Sequence, residues 1–562
     1  MSQTRTFLLI AWLVVGYFLW EAWQRDYATP APAAPDAPLV ADATGVPAAG
    51  ADAVPTLSPD AVAAPDAVMA SVAETAEAAP VTVTTDVLSL AFDASGGTLR
   101  RADLLEHRVS PDEDAAPVTL MSTDPARFHV AQSGFADASG SPPSHEAPLR
   151  SPRKAWVLAE GAETLEVPFE WTRDDGLVVR RVYSFRRGSY AIGVRHEITN
   201  GTGQSWQGQA YRQLVRVPPP RPSRSFFSSP EAFSFTGVAW YSPEEKFNKV
   251  AFEDLAEEPV RASTSGGWTA MLQHYFLAAW VPPAEVPNSF SSAVLEQPAP
   301  TRYRLRQLGP VLTVAPGATL VDEATLYVGP KLQEQLEATA PALELSVDYG
   351  FLTLISQPLF WILKWLHALF GNWGWAIVGL VVLIKLAFFK LSETQFKSFA
   401  RMRRVQPRIE ALKERYGDDR QKFQMAMMEL YKKEKINPMG GCLPILVQIP
   451  VFIALYWVLV ESVELRHAPW ILWIDNLTAR DPYFVLPALN MVAMWLTQKL
   501  SPSPGMDPMQ RKMMQAMPFV FGIMFAFFPA GLVLYWATNG WLGLIQQWYI
   551  MRRHGEPAAA RA

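Results

Sequence analysis

The sequence predicts a polytopic α-helical membrane protein carrying a large all-β, sandwich-like domain outside the membrane. Three observations predict it. The last third of the 562 residues holds five apolar stretches, each near the ~20 residues a bilayer core requires of a helix. Residues 81–329 alternate apolar and polar positions with a period of two and are broken by turn signals, the mark of half-buried strands. Charge is also divided unevenly, since 26–99 contains no Lys or Arg whereas 390–435 carries thirteen basic against seven acidic residues. Basic excess beside an apolar span marks a cytoplasmic loop; it is a topology signal rather than a nucleic-acid one, and DNA is not an expected partner.

The elements follow in chain order. Residues 7–20 form an apolar run behind Arg5 that reads as a cleaved signal peptide or an uncleaved anchor. Its bulky end, Tyr17-Phe18-Leu19-Trp20, lacks the small residues a cleavage site wants, so 1–25 is assigned as a signal anchor. Residues 26–80 are rich in Ala and Pro, bury too little apolar surface to fold, and read as a linker. Residues 81–340 form the β domain: Val81 opens a strand, Gly96-Gly97 makes a turn, and Asp174-Asp175-Gly176 joins 166–172 to 177–185 as a hairpin. No helical layer is evident there.

Candidate spans are 373–392, 442–463, 483–500, 513–528 and 532–550. Between the first two lies a basic helical hairpin, 393–436, turning at Gly417-Asp418-Asp419 and ended by Asn437-Pro438 and Gly440-Gly441. Residues 351–370 are long enough to span but hold Pro358, Lys364 and His367. Parity decides against a crossing: with Arg5 and the basic hairpin inside and the β domain outside, a single crossing separates domain from hairpin. Segment 341–371 is therefore expected to lie along the outer interface as an amphipathic helix. The total is six spans with both termini inside, a helical core at 372–550 and a short tail at 551–562.

Enzyme signatures are missing. His196-Glu197-Ile198-Thr199-Asn200 begins like a zinc-protease motif but ends in Asn, so the second ligand is lacking. There is no P-loop and no Gly-x-Ser-x-Gly elbow, and Cys442 stands alone, which excludes an intramolecular disulfide. No cofactor, metal or catalytic role is expected. The polar residues within the spans say more. Lys385 lies in the first of the five, where a cation costs roughly 2.5–3.5 kcal/mol on insertion-based scales; it either snorkels toward the interface near Lys390 or lines a wet groove. Tyr535, Asn539 and Gln546 fall on one helical stripe, and Gln448 lies in the second span. They serve either as interhelical glue or as groove lining. Trp373, Trp375, Trp470 and Trp473 read as interfacial anchors. Span 513–528 is only about 24 Å long at 1.5 Å per residue, short enough to thin the bilayer beside it.

Several strings resemble the YidC-type membrane protein insertases of Gram-negative bacteria: Asn437-Pro-Met-Gly-Gly-Cys-Leu-Pro-Ile-Leu-Val-Gln-Ile-Pro, Glu461-Ser-Val-Glu-Leu-Arg, Asp507-Pro-Met-Gln and Phe528-Pro-Ala-Gly-Leu-Val-Leu-Tyr-Trp. Thr85-Asp86-Val87-Leu88 and Gly96-Gly97 resemble the start of that family's periplasmic domain. The resemblance runs from about residue 81 to the C-terminus and implies a five-helix core around a hydrophilic groove open to cytoplasm and lipid. It implies insertion of nascent proteins into the bacterial inner membrane, alone or with the Sec translocon, without nucleotide hydrolysis.

Carried over position by position, the groove residues are Lys385, Gln448, Tyr535, Trp536 and Asn539, with Phe452 on an apolar slide. Relatives often carry Arg at 385, a polar residue at 381, where this chain has Val, and Tyr at 536. The hairpin resembles a substrate-receiving loop, or is simply a solvated cytoplasmic loop; its basic faces could also meet ribosomal RNA by counterion release. The partners implied are nascent membrane proteins, the Sec translocon, the ribosome and the lipid bilayer. Two rivals from other classes are a secondary transporter, against which five spans and the missing acidic mate of Lys385 argue, and an envelope-assembly scaffold whose spans merely anchor the β domain.

Overall fold

The computed structural model describes residues 80–93, 96–112, 114–137, 142–220, 234–417, 419–434, 443–500 and 508–554. The expected anchor, nearly all of the linker, Cys442 and the end of the tail lie outside them. The chain divides into two units, Met1–Ala48 and Ala49–Ala562, and all described residues belong to the second.

Period-two patterning becomes two large sheets. In strand Leu88–Phe92 every second residue is buried, and Ala191–Asn200 follows the same rule. A ten-stranded sheet runs from Arg261–Ser265 at one edge to Ala155–Val157 at the other, and an eight-stranded sheet from Lys246–Ala251 to Thr164–Thr172. Pairing is antiparallel except between Val81–Thr84 and Ala155–Val157 among the described strands. Their buried faces share a core of aromatic rings: Phe92 lies 4.5 Å from Tyr183 and 5.8 Å from Phe169, centroid to centroid. Strands Thr164–Thr172 and Leu177–Arg186 pair as a hairpin whose turn holds Gly176 at φ 99°, a conformation glycine adopts without steric cost. His196, from the incomplete zinc motif, sits in a buried polar knot. Arg181 Nε donates to its Nε2 at 2.9 Å, and its Nδ1 lies 3.3 Å from the carboxylate of Asp322, which also binds Arg212 at 2.6 Å. One short helix, α1 (Gln333–Thr339), follows the last strand.

The helical part begins with α2 (Thr353–Phe370), closed by Gly371 at φ 65°, whose N–H bonds the His367 carbonyl. One face buries Leu359, Phe360, Leu363 and Leu366; the other presents Leu354, Trp361, Trp365 and Leu369 to the surroundings. Asn372 caps α3 (Trp373–Ala387), accepting from the Trp375 N–H at 3.1 Å, and Trp470 packs where a side chain on Gly374 would stand. The stretch expected as one span, 373–392, is instead broken at Phe388: α4 (Phe389–Tyr416) starts there with its axis turned by 67°. The break coincides with the change from a run whose one charge is Lys385 to a sequence with Lys390, Glu393 and Lys397, whose polar faces seek water. Helix α4 pairs with α5 (Arg420–Lys433) through Met402, Val405, Ile409 and Tyr431, and Asp419 caps α5 through the Lys422 N–H.

The remaining helices are α6 (Leu443–Glu461), α7 (Val485–Leu500), α8 (Pro508–Phe525) and α9 (Ala530–His554). Relative to the expected spans, α8 starts and stops earlier and α9 runs further. Among the described residues no single helix is long and apolar enough to cross a membrane; α3 and α4 qualify only together, as a bent pair. The six expected crossings therefore do not follow from helix length and composition alone.

The end of α6 is fastened to the β domain. Tyr349 OH lies 3.2 Å from Ser462 Oγ, and His274 Nε2 donates to the Val460 carbonyl at 3.0 Å. Lys331 is buried beside them.

Candidate functional site

Helix α9 organises the site. At 100° per residue, Asn539, Gly543, Gln546 and Gln547 fall on one face, and side chains from two other helices arrive along it. From α6, Gln448 Nε2 donates to Asn539 Oδ1 at 3.0 Å. One turn further, the ammonium of Lys385 in the last turn of α3 lies 3.4 Å from where a Cβ on Gly543 would stand. Glycine in a helix interior costs about 1 kcal/mol relative to alanine, and a Cβ at Gly543 would stand in ordinary contact with that ammonium. Lys385 is half-buried, and no ion pair or hydrogen bond joins it to a described residue. Three helices thus contribute polar groups to one stripe, where an unpaired cation stands beside a hydrogen-bonded amide pair.

Above this stripe the lining turns aromatic. Phe452 packs edge-on against Trp536 at 4.5 Å and parallel to Tyr535 at 6.1 Å, while Trp536 meets Phe525 at 5.0 Å. Tyr535 is 1% exposed, so its ring is core rather than open lining, and Gln448 is the polar group that acts on its hydroxyl; the Trp536 indole N–H has no partner among the described residues. Val381 is equally buried, so the apolar side chain at that position meets protein. Of the six sequence-derived candidates, Gln448 and Asn539 touch, Phe452, Tyr535 and Trp536 form one aromatic cluster, and Lys385 stands one turn along α9.

Three residues escaped the sequence reading. Gly543 carries no chemistry that a motif search could find. Asn490 of α7 is 1% exposed and lies beside Gly540 of α9. Gln547 is fully buried with neither amide atom partnered among the described residues; its signal was adjacency to Gln546 at the end of the stripe. Among the described residues no cluster of His, Cys, Asp and Glu could hold a metal. A cleft of about 680 Å³ lined by Glu166, Arg195, Tyr241 and Trp268 lies within the β domain and includes none of these residues.

A two-sheet β domain fastened to short apolar helices, with polar groups gathered inside the helical part, defines the class: a large β domain joined to an apolar helical bundle. Comparison with known proteins gives that class a family. Residues 80–362 match the YidC periplasmic domain and residues 365–557 match the 60Kd inner membrane protein family. The membrane protein insertase YidC of Stenotrophomonas maltophilia (strain R551-3) is 50% identical over 100% of this chain and 98% of its own length. That of Xanthomonas campestris pv. campestris (strain 8004) is 49% identical over 99% and 98%. A crystal structure of an active YidC insertase covers 84% of this chain and 93% of its own at 19% identity, with a TM-score of 0.39. The chain belongs to the YidC family of membrane protein insertases. It is accordingly a bacterial inner-membrane protein with a periplasmic domain, and it is not an enzyme.

Proposed function

We propose that this chain inserts nascent proteins into the inner membrane through a hydrophilic groove that opens to cytoplasm and lipid and is lined by Lys385, Gln448, Trp536 and Asn539, with Tyr535 buried behind them. Convergence of polar groups from α3, α6 and α9 on one stripe is the observation that carries this reading, because such groups facing lipid are unfavourable and gather where water or a polar ligand is admitted. An acidic extracytoplasmic tail of the client enters beside Lys385, whose ammonium attracts its carboxylates. Gln448 and Asn539 exchange their mutual hydrogen bond for bonds to the tail. The client's apolar segment leaves past Phe452 into lipid, driven by burial worth about 25 cal/mol per Å². No nucleotide hydrolysis is needed, since partitioning supplies the free energy.

In this arrangement 1–25 is an anchor and 26–80 a tether. The exposed apolar face of α2 rests in the outer interface, and six crossings leave both termini cytoplasmic. The hairpin of α4 and α5 receives clients and offers basic faces to a ribosome, and the Sec translocon is a partner for larger clients.

The test is reconstitution into liposomes with a single-spanning client bearing an acidic tail. Insertion is expected to fall in the order wild type, Lys385→Ala, Lys385→Glu, and a basic tail is expected to restore insertion by Lys385→Glu. Equal insertion by all three proteins would sink the electrostatic role of Lys385.

A further inference from the structure

The two glutamines at the end of the polar stripe hold three buried amide atoms without a partner among the described residues. Gln547 is fully buried and neither its Oε1 nor its Nε2 meets a partner among the described residues; Gln546 is 9% exposed and its Oε1 is likewise unpartnered. Folded proteins rarely leave such groups unmatched, and an exception calls for something that fills it. On α9, Gln546 and Gln547 lie within about 60° of Gly543 around the helix axis, and Gly543 is where the Lys385 ammonium rests. Along one face the order is therefore the Gln448–Asn539 pair, the ammonium, and two glutamines, one with an unmatched amide oxygen and one with both amide atoms unmatched among the described residues.

A primary amide both donates and accepts and carries no charge. Its complement is a peptide group, which offers one N–H and one C=O. An unfolded segment entering a water-poor site brings many peptide groups whose hydrogen bonds are not made internally, and each demands a partner there. We propose that Gln546 and Gln547 form a second binding station that takes main-chain peptide groups of the incoming segment, independent of its side chains, next to the carboxylate station at Lys385. The proposal rests on the insertase reading and divides its selectivity: the glutamines hold any extended tail, and Lys385 adds preference for acidic ones.

The test uses full-length protein in liposomes, the variants Gln546→Leu/Gln547→Leu and Lys385→Ala, and one single-spanning client with three tails: acidic, neutral Gly/Ser, and neutral proline-rich, the last lacking most main-chain N–H groups. The double leucine variant is expected to slow insertion of acidic and Gly/Ser tails alike, by about fivefold or more for two lost hydrogen bonds. Lys385→Ala is expected to slow only the acidic tail. With the proline-rich tail the double variant is expected to lose less. Its thermal midpoint is expected to equal or exceed that of wild type, because removing unmatched buried polar groups relieves the fold, whereas a structural role would lower it. Wild-type insertion of every tail by the double variant, or a loss matched by a lowered midpoint, overturns the station while leaving the Lys385 result intact. Insertion by wild type no faster than in protein-free liposomes overturns the insertase reading and the station with it.

Discussion

The hydroxyl of Ser234 lies 2.9 Å from one carboxylate oxygen of Glu461 and 3.2 Å from the other, across 227 positions of chain. The contact joins the β domain to the last residue of α6, and Lys331, 2% exposed, is buried within electrostatic reach of that carboxylate. Burial lowers the Lys331 amine from its ordinary range, and the negative charges of Glu461 and Asp348 act against that shift. Removing the Glu461 carboxylate leaves Asp348 as the negative charge acting on the buried amine. Glu461→Leu is therefore expected to destabilise the protein by roughly 1–3 kcal/mol, and Lys331→Met/Glu461→Leu to recover part of that loss. Denaturant midpoints of detergent-purified variants check this; a double variant no more stable than the single one would show that Glu461 and Lys331 are not coupled.

His196 predicts acid sensitivity of the β domain. Arg181 can only donate to Nε2, so the ring's proton is on Nδ1, facing Asp322. Burial is the largest cause holding the imidazole down to about 4 from an ordinary 6.5, with the Arg181 charge acting in the same direction. Between these values the unfolded chain binds the extra proton, so stability falls as pH drops from about 6.5 to about 4, by on the order of 3 kcal/mol from this group. Asp322, held near 2, adds a second loss below about 3.8. Hydrogen exchange of strand Ala191–Asn200 across pH 4–7 reads the effect, and His196→Gln is expected to flatten the slope by about one proton.

The Gln448–Asn539 bond can be weighed by a double-mutant cycle. Interhelical hydrogen bonds of this kind average about 0.6 kcal/mol and reach about 1.7 kcal/mol. Gln448→Leu and Asn539→Leu are expected to couple within that range. Insertion activity is expected to fall with either change by more than this modest stability loss accounts for, since the same groups serve the client. Insertion that simply tracks stability would make the pair interhelical glue.

Gly96 tests the β core. Its φ of 83° is unfavourable for any residue with a side chain, and a Cβ there would stand 1.5 Å from the His145 carbonyl oxygen. Gly96→Ala is expected to cost on the order of 3 kcal/mol, seen as reduced yield and a lowered denaturant midpoint, with no selective effect on acidic-tailed clients.

The strand pattern, the hairpin at Gly176 and the apolar stretches are local properties, set by which residues fall within one or two turns or pleats of each other. They were legible for that reason. The stripe of Tyr535, Asn539 and Gln546 was legible too, because helical spacing alone puts those positions on one side. Yet the stripe is not uniform: Tyr535 is sealed in an aromatic cluster with Phe452 and Trp536, which spacing could not distinguish from open lining.

Periodicity and composition act over short windows, and those windows already show that a β domain and a set of apolar helices share this chain and which polar residues lie among the helices. Tertiary structure alone decided that Gln448 meets Asn539 across 91 positions, that Lys385 rests against Gly543, that the first expected span breaks at Phe388, and that Ser234 seals Glu461. Each of these depends on which helix faces come to face each other, and no window of adjacent residues encodes that choice.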